Sequence, residues 1–193
     1  MRYYQESLTI YQKAEEDRGI SITYNNLGDI AKAQGDYHLA RRYFEDANRL
    51  LTDDMDIWIR SIIVKNLGKI RFIFHEYSQA EFYLRKALNL SRRIDRIPDI
   101  LDVYVTFAQI QALRGQVEKA LRILALVRVH YATTADLRVE AENQFLRLAA
   151  HLDEETVDRL RREGERLDIS MVLVEDARQD NVERRYKDSG WFV

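Results

Sequence analysis

The sequence has no cysteine, a single proline (Pro98) and seven glycines among its 193 residues. The absence of cysteine excludes disulfides, thiol nucleophiles and cysteine-ligated zinc, and it is compatible with a reducing compartment. Because proline and glycine interrupt helices, their scarcity leaves room for long uninterrupted helices.

A surplus of positive charge is also missing, since 30 Lys and Arg residues face 32 Asp and Glu residues. A general nucleic-acid binder needs such a surplus, so we expect no direct binding to nucleic acid. No window approaches the ~20 apolar residues that span a bilayer. Residues 1–17 lack the apolar core of a signal peptide. We therefore expect a soluble cytoplasmic protein that does not bind membranes.

Motifs for chemistry are absent as well. The sequence holds neither the G-x-x-x-x-G-K-[ST] loop nor the G-x-G-x-x-G turn that cradle phosphates, and no nucleophile elbow surrounds any serine. The aspartates of residues 52–56 lack the glycine and the distal glutamate of a calcium loop. We expect no enzyme, no cofactor and no metal site, because the four histidines are not spaced as metal ligands: His38, His75, His130 and His151.

What the sequence does contain is a unit that recurs every 40 residues. Within each copy, apolar residues follow steps of three and four, the spacing of one helical face. A fixed period of this length indicates stacked pairs of helices. The matching positions are Tyr24, Leu27, Gly28, Gly35, Ala40, Phe44 and Ala47, then Val64, Leu67, Gly68, His75, Ala80, Leu84 and Ala87, then Tyr104, Phe107, Ala108, Gly115, Ala120, Leu124 and Val127.

The period divides the chain into three parts. Residues 1–20 align with the second helix of a unit, residues 21–131 hold three complete units, and residues 132–193 hold a divergent helix pair and a capping helix. In the last part the expected helices span residues 137–152, 156–167 and 169–186.

The N-terminal half unit lacks its first helix, and a terminal helix without its partner exposes apolar surface. Here the exposed side chains are those of Tyr3 and Tyr4. Two expectations follow. Either the chain is a fragment or a truncated product of a longer one, or something else covers these tyrosines.

Single residues predict local geometry. Gly28 indicates close approach of a neighbouring helix or, alternatively, a kink. Gly35 supplies a left-handed residue at the turn, which His75 replaces in the second unit and tolerates better than most residues. Asp36 is placed to cap the following helix. Gly164 predicts a helix break or a fraying point.

At these positions the chain resembles the tetratricopeptide repeat family, whose signature runs aromatic, Leu-Gly, turn Gly, Ala, aromatic, Ala. The resemblance covers residues 1–131 and implies a right-handed α-solenoid of antiparallel helix pairs. The period exceeds the common ~34 residues, and Thr52 and Arg92 stand where the family usually has proline. Units of this length also resemble the C-terminal arrays of bacterial signal-transduction ATPases and multidomain transcriptional regulators.

The resemblance implies that the first helices of the units line a concave groove for a partner. Asn26 and Asn66 can each donate to and accept from a peptide backbone. Lys65 and Lys69 lie one turn apart, and they either meet a partner's carboxylate or pair with neighbouring side chains. Phe72, Ile73 and Leu113 form either an apolar floor for a ligand or part of the packing. The aligned groove positions are Asn25, Asn26, Asp29, Lys32, Lys65, Asn66, Lys69, Phe72, Ile73, Asp102, Val105, Gln109 and Leu113.

These features predict a non-enzymatic protein–protein interaction module that binds a peptide or helix of a partner. By resemblance it serves as a scaffold or regulatory domain of a bacterial signalling or transcription system. One alternative is a dimer or filament through the open half unit, using Tyr3, Tyr4, Trp191 and Phe192. Another is a small-molecule sensor arm of a larger regulator.

Overall fold

A computed structural model describes residues 2–52, 55–170 and 172 of the chain. The described residues form nine α-helices and no strand, which confirms the all-α prediction. Their bounds are α1 Arg2–Lys13, α2 Asp17–Ala33, α3 Tyr37–Arg49, α4 Ile57–Ile73, α5 Tyr77–Arg93, α6 Ile97–Leu113, α7 Val117–Val129, α8 Ala135–Ala149 and α9 Glu154–Glu165.

The helix starts repeat with the sequence period. Helices α2, α4 and α6 begin at residues 17, 57 and 97, and α3, α5 and α7 begin at residues 37, 77 and 117. The turn inside each pair has a left-handed residue, Gly35 and Gly115 at φ 80° and His75 at φ 59°, as the sequence predicted. The sequence did not reveal a second series, at Glu15 (φ 54°) and Asp95 (φ 51°), in the turns between pairs.

The chain forms two compact units, residues 1–110 and 111–193. In the first unit α1 packs on α2, α2 on α3, α3 on α4 and α4 on α5. Asp36 caps α3 as predicted, because its carboxylate accepts the backbone N–H of Leu39 at 3.0 Å. One core cluster of this unit consists of Ala31, Ala40, Phe44, Leu67 and Ile70.

Glycines in the first helices of the pairs allow close packing. A Cβ at Gly28 would lie 2.6 Å from the Phe44 ring, and one at Gly68 would lie 2.8 Å from Cγ of Leu84. Helix α2 continues through Gly28 without a break. The prediction of close approach at Gly28 is therefore confirmed.

In the second unit α7 packs against both α8 and α9. Asp153 caps α9 by accepting the backbone N–H of Thr156 at 2.8 Å. Helix α9 runs through Gly164 and ends at Glu165. A Cβ added at Gly164 would collide with the carbonyl oxygen of Arg122. Close approach to α7, rather than fraying, explains this glycine.

Most of the predicted capping helix 169–186, together with Trp191 and Phe192, lies outside the described residues. Within the part of the chain that the structure covers, every helix is too short or too polar to cross a membrane.

Candidate functional site

The candidate site is the set of first helices in the first unit: α2, α4 and residues 97–110 of α6. We call this set the front face. It brings together the predicted groove residues of α2 and α4 with two carboxylates at the start of α6. Its polar and apolar members are Asn25, Asn26, Asp29 and Lys32, then Lys65, Asn66, Lys69, Phe72 and Ile73, then Asp99, Asp102 and Gln109.

Buried amides join α2 to α4. Nδ2 of Asn66 donates to Oδ1 of Asn25 at 3.0 Å and lies 3.3 Å from Oδ2 of Asp29. Asn25 and Asn66 are each only 6% exposed. Because buried polar groups must find partners inside the protein, these two amides hold the helices in register. Neither is presented to a peptide backbone.

The two predicted groove lysines of α4 pair with α6. Nζ of Lys65 lies 2.7 Å from Asp99 and 3.0 Å from Asp102, and Nζ of Lys69 lies 2.5 Å from Asp102. Nε of Arg96 lies 3.0 Å from the other oxygen of Asp99. Three cations thus share two carboxylates, so the cluster keeps one positive charge. A partner's carboxylate has to compete with Asp99 and Asp102 for these lysines.

The ion pairs fix the charge states of this cluster. Burial lowers the pKa of the Lys65 ammonium, but Asp102 and Asp99 outweigh burial and raise it overall. Burial likewise raises the pKa of the Asp102 carboxyl, but Lys69 and Lys65 outweigh it and lower that pKa overall. Lys65 and Asp102 are therefore both ionised at neutral pH.

The part of the front face that solvent reaches is smaller than the sequence predicted. Ile73 is 36% exposed, Phe72 is half-buried against the ring of Tyr77 at 5.7 Å, and the side chain of Lys32 is 31% exposed. Asn26 is half-buried and has no side-chain hydrogen bond to the described residues. Asp29 and Gln109 are also partly exposed.

One predicted groove residue does not belong to this surface. Val105 is fully buried, so its assignment to the groove is wrong. Leu113 is 60% exposed and lies in the second unit, and its assignment to the groove stays a prediction.

The sequence did not predict a ring of four charged residues between α3 and α4. Arg41 contacts Glu45 at 2.9 Å and Glu76 at 2.7 Å, and Arg71 contacts the same two carboxylates at 2.6 and 2.5 Å. The Arg41 guanidinium also lies 5.1 Å from the centre of the Phe74 ring. The i,i+4 spacing of Arg41 and Glu45 was the signal available in the sequence. The ring fixes the first pair of helices against the second.

The charged side chains of the front face are largely paired with one another. Among the described residues no three His, Asp or Glu side chains converge as metal ligands. Three carboxylates of the front face, Asp29, Asp99 and Asp102, pair with lysine or arginine side chains. The arrangement supports recognition by contact.

In its described part the chain is an all-α protein built from packed helix pairs. Residues 2–53 match the sequence model of the tetratricopeptide repeat family, and this segment is a tetratricopeptide repeat. Such repeats generally mediate protein–protein interactions and are typically non-enzymatic. No curated protein and no solved structure shows significant similarity to the chain.

Proposed function

We propose that the front face binds a peptide or helical segment of a partner protein, and that the chain acts as a scaffold or regulatory domain in a bacterial signalling or transcription system. The observation that carries the proposal is the accessible strip on α2 and α4. Lys32 and Phe72 occupy the same position in consecutive pairs, and Ile73, which follows Phe72 in the chain, is 36% exposed. Apolar contacts edged by charge are typical of helix and peptide recognition.

The residues divide the work of binding. Phe72 and Ile73 offer apolar contact, and the unpaired amide of Asn26 can bond a backbone group. The charge left over at the lysine cluster favours a partner segment that carries a carboxylate, and it is reached through Lys69, whose side chain is 23% exposed. Lys65, at 12%, acts in holding α6 against α4.

The test is a capture experiment from source lysate, read by mass spectrometry, with wild type beside Asn26→Ala/Ile73→Glu. The matched control is Leu146→Glu, which places the same charge at a 52% exposed leucine of α8. We expect a partner that wild type and the control retain and that the front-face variant loses, with helix content unchanged. Retention of every partner by the front-face variant would show that binding occurs elsewhere. Charge reversal at Lys65 is unsuitable, because it would place three carboxylates together and damage the fold.

Self-assembly remains a second candidate because α1 exposes residues that the other pairs bury. Tyr4 is 38% exposed, whereas Phe44, 40 residues later, is fully buried. Tyr3 and Ile10 are 81% and 65% exposed on the same helix. Sedimentation velocity across a wide concentration range tests this candidate. The candidate is supported if the sedimenting mass of wild type rises with concentration while Tyr3→Arg/Ile10→Glu stays a monomer. A wild-type mass that is constant over the range contradicts it.

A further inference from the structure

The outward face of α5 has an unusual composition. From Gln79 onward its exposed side chains follow one another at steps of three and four, so they form a single stripe along the helix, and Ser78 lies one turn before Phe82 on the same stripe. Phe82 is 63% exposed, one of the largest apolar exposures in the first unit. The stripe contains two cations and no carboxylate: Ser78, Gln79, Phe82, Lys86, Asn89 and Arg93.

The charge of this stripe is not neutralised by its own helix. The acidic residue of α5, Glu81, is turned away from the stripe, half-buried, and paired with Arg85 at 2.9 Å. Lys86 and Arg93 make no ion pair with any described residue. The positive stripe therefore stands out on a chain whose formal net charge is −2.

Helix α3, the second helix of the preceding pair, has the same bias. Its carboxylates, Glu45 and Asp46, are partly buried and paired with arginines. Arg42 is exposed and has no carboxylate partner among the described residues, and it stands 40 residues before Phe82. Neither α3 nor α5 has an exposed carboxylate. Outward positive charge is thus shared by two consecutive pairs.

We propose that the α5 stripe binds an acidic amphipathic segment of another polypeptide. An apolar side chain of that segment covers Phe82, and its carboxylates pair with Lys86 and Arg93. These two cations are seven residues apart, or about 10 Å along a helix. They therefore match carboxylates two turns apart on a partner helix. Asn89, between them, bonds a polar group of the same segment.

The stripe has too few cations to bind nucleic acid strongly and too little apolar area to bind a membrane surface. Three unpaired cations, Arg42 included, fall short of the roughly six to ten phosphate contacts that give a protein strong affinity for DNA. One exposed aromatic on one helix offers much less apolar area than the continuous face of a membrane-surface helix. A short acidic polypeptide needs only two or three charges and one apolar contact, which is what the stripe offers.

The test uses fluorescence anisotropy with the full chain and a labelled helical peptide. The peptide carries glutamates two turns apart and a leucine one turn before the first of them. A peptide with lysines in place of the glutamates is the reversed probe. The protein variants are Lys86→Glu/Arg93→Glu, Phe82→Ala and a charge-matched control, Lys13→Glu/Arg18→Glu, whose two residues are exposed elsewhere in the first unit.

We expect wild type and the control to bind the glutamate peptide, more weakly as salt is added, and to ignore the lysine peptide. Lys86→Glu/Arg93→Glu should weaken binding at least about tenfold, and Phe82→Ala severalfold. Equal binding by wild type and Lys86→Glu/Arg93→Glu, or an equal loss in the control, would overturn the proposal. So would binding of duplex DNA or anionic vesicles in place of the peptide.

This inference is independent of the front face. Ile73→Glu should leave the affinity for the glutamate peptide unchanged, because Ile73 lies at the end of α4 and outside the stripe. A failure of either proposal can therefore be told from a failure of the other.

Discussion

At the scale of single residues, the backbone of the turns explains much of the sequence. The turn inside each pair needs a left-handed residue, and glycine meets that need at residues 35 and 115. His75 and Asp95 adopt the same region with a Cβ, at a cost of about 1–2 kcal/mol each. The chain thus retains strain at positions where a better residue is available.

Asp95→Gly should stabilise the protein by about 1 kcal/mol, because glycine reaches positive φ without steric cost. It also removes a negative charge just beyond the C-terminal end of α5, where the helix dipole disfavours one. Urea unfolding followed by circular dichroism measures the change. The control is Gly35→Ala, which meets no neighbouring atom and should destabilise by a similar amount through the backbone alone. A destabilised Asp95→Gly would show that its carboxylate has a stabilising role.

Gly68→Ala should destabilise the first unit by about 1–3 kcal/mol, because the added methyl overpacks the contact between α4 and α5. It would lie 2.8 Å from Cγ of Leu84 and 3.1 Å from that residue's backbone nitrogen, which cannot rotate away. The free energy of unfolding in urea is again the measurement. Leu84→Val in the same chain should recover part of the loss. Full additivity of the two changes would show that the residues do not compete for space.

At the scale of elements, the first helices of the pairs are joined by polar contacts in addition to apolar packing. Asn25 and Asn66 connect α2 to α4, and Lys65 and Lys69 connect α4 to α6 through Asp99 and Asp102. Such contacts contribute modest stability, but they penalise any other register, since a shift would leave buried polar groups unpaired.

Asp102→Asn should destabilise the chain by about 2 kcal/mol, between the cost of losing a surface pair and a fully buried one. Lys65, with its side chain only 12% exposed, would keep Asp99 alone, and Lys69 would lose its partner. The matched control on the same face is Asp29→Asn. Its carboxylate is 43% exposed, so the loss should stay below about 1 kcal/mol. Equal losses of unfolding free energy in the two variants would show that the ion pairs of Asp102 contribute no more to stability than a surface pair does.

The same cluster predicts a pH dependence. The pKa of Asp102 is lower in the folded chain than in an unfolded one, so its contribution is complete above about pH 4 and is lost as the pH falls through the folded value. The raised pKa of Lys65 acts in the opposite range, with stability lost as the pH rises through its folded value above about 10. As the pH is lowered into the acid range, the free energy of unfolding should therefore fall more steeply in wild type than in Asp102→Asn. Parallel acid profiles would show that Asp102 is not the group responsible.

At the scale of the whole molecule, burial is uneven along the chain. Helix α1 contains no buried residue, whereas α4 has eight and α5 has six. Local opening costs least where few apolar contacts have to be broken. The N-terminal helix is accordingly the least protected part of the first unit.

Hydrogen exchange read by mass spectrometry should show amides of α1 exchanging much faster than those of α4 at low protein concentration. Slowing of exchange in α1 as concentration rises would indicate that a second copy covers Tyr3 and Ile10. Slow exchange in α1 at every concentration would contradict the burial pattern.

The sequence by itself determined the class of fold and the turn inside each of the first two complete helix pairs. Gly28, Gly35, Phe44 and the 40-residue spacing express local rules for helix packing and turns, which act between residues close in the chain. The predicted turn at His75 and the predicted cap at Asp36 follow from the same rules.

Only the tertiary structure decided which polar residues remain available for binding. Lys65 and Asp102 are 37 residues apart, and nothing local shows that they meet at 3.0 Å. Asn25 and Asn66 likewise become each other's partners only once α2 packs on α4. The positive charge of the α5 stripe likewise could be assigned only once the structure showed that Glu81 pairs with Arg85. Burial and ion pairing depend on contacts between segments that are distant in the chain. The helical period therefore predicts on which face of its helix a residue lies, but it does not predict which residue it contacts.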